Sequence, residues 1–261
     1  MSLLVRGGAP GGAGTLVEVT PASAGWEYVG FEAVGVAPDA PALRETGGRE
    51  LCVVALGGRV TVRLNGAAFA QIGGRADVFS GLPHAAYVPP GTSVSLEAHG
   101  GPAETALAWA PAEGGLPAAE LPPDGVEVEV RGAGVTERRI HPILMDGRDA
   151  ERLLVVEVLT PAGHWSSYPP HKHDRDDPPS ETRLEETYYH RLRQPGRFAL
   201  QRVYSEDRSL DESLAVGDGD VVLVPRGYHP VSAPPDVDLY YLNVMAGPRR
   251  EWRFVTDPAF G

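Results

Sequence analysis

A single cysteine, Cys52, rules out an intrachain disulfide. Its place in the apolar run Leu51–Leu56 marks it as a buried structural thiol rather than a nucleophile. No apolar run approaches the ~18 residues that a membrane-spanning helix needs. The opening Met-Ser-Leu-Leu-Val-Arg-Gly-Gly has no basic stretch leading into an apolar core. No membrane partner is therefore expected, and a reducing, cytoplasmic location is. Basic charge is scarce: 23 Lys and Arg stand against 35 Asp and Glu, a net charge of −12. No basic cluster is dense enough to neutralise a phosphate backbone, which excludes nucleic acid as a partner. Helical periodicity is missing too, since no segment carries an apolar stripe longer than about two turns.

Turn formers are abundant instead. The 32 Gly and 25 Pro make up more than a fifth of the 261 residues. Period-two alternation recurs in Arg59–Leu64, Val94–Glu97 and Val126–Val130, as half-buried strands require. Leu51–Leu56, Leu153–Leu159, Val221–Val224 and Leu239–Val244 are apolar almost throughout and suit strands covered on both faces. An all-β chain of sandwich or barrel type follows. The halves echo each other: Tyr87-Val88-Pro89-Pro90-Gly91 and Leu223-Val224-Pro225-Arg226-Gly227 each place a proline-containing turn after an apolar strand. The Pro- and Gly-rich stretch Pro111–Gly125 is the natural linker, so two domains are expected, 1–120 and 121–261.

The second half carries the chemistry. His171 and His173 are two apart, so on a strand both imidazoles leave the same face. Glu186 opens the strand-like Thr187–Leu192, and His229 follows the turn Pro225-Arg226-Gly227-Tyr228. Three imidazoles and a carboxylate suit one divalent ion: zinc first, with manganese, iron and nickel as alternatives. The first half has no His-x-His and is expected to be metal-free.

These residues resemble the metal-binding motifs of the cupins, in which a His-x-His and a Glu precede a Gly-x₅-Pro-x-Gly turn and a further His. Gly219, Pro225, Gly227 and His229 fill the second motif. The spacing departs from the pattern, most clearly in the twelve residues between His173 and Glu186. Those departures, with the segments Trp165–Asp174, Leu184–Tyr189, Gln201–Tyr204, Val222–Val231 and Tyr240–Pro248, are similar to the 5-deoxyglucuronate isomerase family of myo-inositol catabolism, relatives of the uronate isomerase of pectin breakdown. The resemblance is dense over 163–258 and looser over 1–140. It implies a bicupin of two jelly rolls, with a degenerate N-terminal half and a metal-dependent aldose–ketose isomerisation of a sugar acid. The hydrogen would move through an enediol or as a hydride. It also implies Glu186 rather than Glu185 as ligand, leaving Glu185 to face solvent or a neighbouring subunit in a homo-oligomer.

Three further residues are expected near the reaction. Arg202, a charged residue in a strand, is the candidate for the substrate carboxylate, since guanidinium binds carboxylate bidentately. Tyr188 shares the face of Glu186 by alternation, as does His190, and Tyr204 is the remaining candidate. Packing is the competing reading for each tyrosine. The polar loop Asp174–Arg183 is expected to be mobile and to close over the sugar. The rival functions for such a site are an iron dioxygenase and a non-catalytic sugar-binding cupin.

Overall fold

The computed structural model describes residues 2–260. Strands dominate, as the composition demands, and the expected all-β architecture is the one that forms. A six-stranded sheet runs, edge to edge, through Ala119–Leu121, Ala85–Val88, Arg49–Gly57, Ala103–Pro111, Gly30–Val36 and Gly14–Val19. A seven-stranded sheet repeats that order with Leu4–Val5, Val221–Val224, Glu185–Leu192, Leu239–Ala246, Leu154–Thr160, Arg138–Leu144 and Glu129–Arg131.

The apolar runs are explained by what covers them. Leu51, Val53 and Ala55 pack with Val60, Val62 and Leu96 of a four-stranded sheet inside the first half. Cys52, Val54 and Leu56 point the other way, into a core shared with Leu154, Tyr189 and Leu242 of the second half. The two large sheets thus stand back to back, and their central strands are buried on both faces. The N-terminal strand crosses to the second half: Leu4–Val5 pairs with Val221–Val224, while Ala119–Leu121, from the stretch joining the halves, covers the equivalent edge of the first sheet. A cut at residue 120 therefore leaves Leu4–Val5 apart from the sheet whose edge it protects.

The shared strand order aligns the halves residue by residue. Glu50 lies opposite Ala110 and Glu185 opposite Ala246, so the two glutamates are equivalent. Each reaches across to the other half. Glu50 accepts the backbone N–H groups of Glu151, Arg152 and Leu153 at 2.8, 2.7 and 2.7 Å, and Glu185 accepts those of Glu27, Tyr28 and Val29 at 2.8, 2.6 and 3.0 Å. The expectation that Glu185 faces solvent or a subunit neighbour is corrected: the buried inter-half core takes it up, because three unpaired N–H donors there need an anion. Glu185→Gln should lower unfolding free energy by about 2–3 kcal/mol in denaturant titrations and leave metal content unchanged. Wild-type stability in that variant would refute the clasp.

Candidate metal centre

The strand His171–Lys172 pairs with Val255–Thr256, and alternation sends His171 and His173 to one side and Lys172 to the other. Leu184 donates its N–H to the His173 carbonyl at 2.9 Å, so the long insertion between His173 and Glu186 is an excursion whose ends are tied together. At the other motif, a Cβ on Gly227 would lie 2.4 Å from the Tyr204 carbonyl oxygen, and its φ is 88°. Only glycine makes that turn, and the turn delivers His229 beneath the first pair.

One nitrogen from each of His171, His173 and His229 lies within 4.8 Å of the others, and no other such cluster of potential ligands occurs among the described residues. Glu186 Oε2 stands 3.1 Å from His173 Nε2 and 3.3 Å from His229 Nε2. His229 Nδ1 is 2.8 Å from the Gly227 carbonyl and His173 Nδ1 3.3 Å from the Leu184 carbonyl. A carbonyl only accepts, so each Nδ1 carries a proton, and the His229 Nε2 lone pair then faces the carboxylate. At His173 burial is outweighed by the Glu186 hydrogen bond and charge, which raise its pKa and favour a proton on Nε2 that a cation would displace. Burial, with His173 as a nearby charge, pushes His171 down to about 3, and burial pushes His229 down to about 3. Both rings are neutral donors at physiological pH. Lone pairs and an anion converging on one point, with backbone carbonyls fixing the tautomers, are the arrangement that a divalent cation completes. The equivalent positions in the first half are Leu51 for Glu186, paired to Val88 as Glu186 is to Val224, and Ser93 for His229, two residues past Gly91.

A cavity of 160 Å³ opens beside this cluster, walled by Arg138, Tyr188, Tyr241, Asn243 and Trp252 among others. Tyr188 is thus beside the cluster. Its hydroxyl is 2.9 Å from Ser167 Oγ, and burial, reinforced by the Glu186 charge, holds the phenol well above its ordinary range and therefore protonated. Asn243 Nδ2 is buried without a partner. His190, expected to border the site, is sealed behind Tyr188 and bonded to Gln201 Oε1 at 2.9 Å.

Two candidates are placed elsewhere. Arg202 lies on the outer face of Ala199–Tyr204, held bidentately by Asp211 at 2.8 Å, while the inward positions are taken by Gln201 and Val203. Tyr204 is buried beside it and donates its hydroxyl to Asp257 at 2.7 Å, away from the cavity. In the loop 174–183 the stretch 175–180 is exposed, as expected, but its ends are anchored: buried Glu181 accepts from Lys172 Nζ and from the N–H groups of Asp174 and Arg175, and no residue of the loop lines this cavity. Of the strand expected over Val126–Val130 only Glu129–Val130 forms, running on to Arg131, and beyond the buried Val126 its valines are turned outward. Val128 and Val130 are exposed, and Glu129 and Arg131 turn toward a 470 Å³ cavity that shares Arg131, Ile140 and Trp252 with the smaller one. That orientation hid Arg131, and Arg138 lies opposite it on the neighbouring strand and lines the smaller cavity.

Two back-to-back jelly rolls, one filled largely with aliphatic side chains and one enclosing three histidines and a glutamate, define a bicupin with one candidate metal centre among the described residues. The chain belongs to the KduI/IolB family, matching it over residues 3–261. It is 51% identical to the 5-deoxy-glucuronate isomerase of Geobacillus kaustophilus, over 98% of this chain and 93% of that one. It is 44% identical to the protein of that name from Bacillus subtilis, over 93% and 90%. An IolB-like protein from Salmonella typhimurium superposes with a TM-score of 0.95 at 43% identity, covering 100% of this chain and 98% of that one. A variant of Bacillus subtilis oxalate decarboxylase, 16% identical, superposes at 0.63 over 94% of this chain and 76% of its own, a likeness of fold.

Proposed function

We propose that this chain is a metal-dependent aldose–ketose isomerase interconverting 5-deoxy-D-glucuronate and 2-deoxy-5-keto-D-gluconate. The observation that carries the reading is the joint one: near full-length identity to proteins named for this activity, and a His171, His173, Glu186 and His229 cluster opening on a small polar cavity. Such an isomerisation moves hydrogen between adjacent carbons while charge develops on both oxygens. A divalent ion held by these four residues, zinc first and manganese, iron or nickel as alternatives, would supply Lewis-acid stabilisation of that charge.

The chain's own residues do the rest. The Tyr188 hydroxyl keeps its proton and presents a donor at the cavity wall, and the unpartnered Asn243 amide presents a second. Trp252 and Phe254, against His171, give the cavity an aromatic side. The reading includes one ion per chain, a cytoplasmic location in keeping with the lone buried Cys52, and a homo-oligomer. Trp165, Leu200 and Phe260, exposed around a 520 Å³ groove, support the last. Incubation of metal-loaded and chelator-stripped protein with 5-deoxy-D-glucuronate tests it. We expect the keto acid to form only in the loaded sample, with one equivalent of ion by elemental analysis and no oxygen uptake. Absence of turnover overturns the isomerase; oxygen consumption would establish the dioxygenase rival.

A further inference from the structure

We propose that Arg138 holds the substrate's carboxylate and thereby selects sugar acids over neutral sugars. The inference rests on the isomerase reading and names the group that orients the sugar within it.

Arg138 opens the strand Arg138–Leu144 and Arg131 closes Glu129–Arg131, and the register sets the two directly opposite each other. Like charges in that position repel, so the arrangement costs stability unless an anion lies between or beside them. Arg131 is already compensated: Glu129 is 2.7 Å from its Nη2, and its guanidinium lies over the Trp252 ring at 5.3 Å. Arg138 has no acidic partner among the described residues. Its one side-chain hydrogen bond is donated to the Thr136 carbonyl at 3.0 Å, although it is half-buried in a chain of net charge −12.

Alternation puts Ile140 on the same face, and Arg138, Ile140, His171 and Glu186 line one cavity of 160 Å³. A short open-chain sugar acid with oxygens at the His and Glu cluster therefore has its charged end within the same enclosure as this guanidinium. The planar fork fixes which end of the sugar enters first, by two directional bonds that a point charge does not provide. Arg202, whose fork is filled by Asp211, has no such capacity free.

The test compares metal-loaded wild type, Arg138→Ala, Arg138→Gln, Arg138→Lys and Arg202→Ala on 5-deoxy-D-glucuronate and on 5-deoxy-D-glucose, the same sugar with its carboxylate reduced to an alcohol. We expect Arg138→Ala to lower kcat/KM for the acid by about a hundred-fold and to leave the slow reaction of the neutral sugar nearly unchanged. Lysine should restore only part, and Arg202→Ala should behave as wild type. Arg138→Gln, which keeps most of the bulk, carries the same expectation if the alanine variant does not fold. Calorimetric titration with D-glucuronate reads the carboxylate contact as an affinity rather than a rate, and the Arg138 variants should lose that binding. Equal discrimination between acid and alcohol by wild type and Arg138→Gln overturns the assignment, as does undiminished D-glucuronate binding. Binding that depends on Arg138 in a wild-type protein that does not isomerise would remove the isomerase reading and leave the carboxylate site standing.

Discussion

Glu186→Gln is expected to leave the protein folded, with well under one equivalent of ion and with kcat reduced by at least about a hundred- to a thousand-fold. Glu186 is the one anion of the four converging side chains, and its Oε2 is the atom that both His173 and His229 approach. Glutamine fills the same volume with no charge, so the packing around this buried side chain persists while the electrostatic attraction for a cation is lost. Glu185→Gln is the matched control on the neighbouring residue, since Glu185 points into the inter-half core and should cost stability rather than ion. Elemental analysis and steady-state kinetics on both variants decide the matter. Full metal content and wild-type kcat in Glu186→Gln would show that this carboxylate is not a ligand.

Lys172→Met should destabilise the protein by about 3–5 kcal/mol. Lys172 is the only lysine of the chain and is buried, with its ammonium 3.0 Å from Asp174 Oδ1 and 3.0 and 2.9 Å from the two Glu181 oxygens. Removing the cation strands the buried Glu181 carboxylate and the partly buried Asp174 carboxylate side by side. Asp174 Oδ2 also accepts the Gly227 N–H at 2.8 Å, so this ion cluster ties the His-x-His strand to the turn that carries His229. The variant should accordingly bind its ion about ten- to a hundred-fold more weakly, as the loss of ligand-supporting contacts usually does.

The pH dependence of stability gives a second readout. Burial opposes ionisation of Asp174, but the Lys172 hydrogen bond and charge prevail and hold its carboxyl below the ordinary range. Its contribution is therefore fully present above the ordinary carboxylate range and is lost as pH falls through the lowered value. Lys172 itself, raised above its ordinary value by Glu181 and Asp174 against the cost of burial, stays charged throughout that window. Denaturant titrations from neutral to acid pH should show wild-type stability falling more steeply than that of Lys172→Met. Parallel curves would mean that the cluster contributes little to folding.

The metal-type cluster was legible because its geometry is local. A spacing of two puts His171 and His173 on one face of any strand, and the Pro225-to-Gly227 turn before His229 is fixed by a backbone conformation that glycine alone permits. The β class followed just as directly from alternation and turn residues. Inward and outward are not local properties. Gln201 and Arg202 alternate on one strand, and only the sheet packed against it decides that Gln201 is buried and Arg202 meets Asp211. The same choice buried Glu185 against backbone donors more than 150 residues away and turned Arg138 toward the ligand cluster. Sequence by itself thus determined which residues share a face, since the period of a strand is a property of the backbone. The tertiary structure alone decided which face is inside, since that depends on which distant groups must be desolvated together and which charges must then be paired.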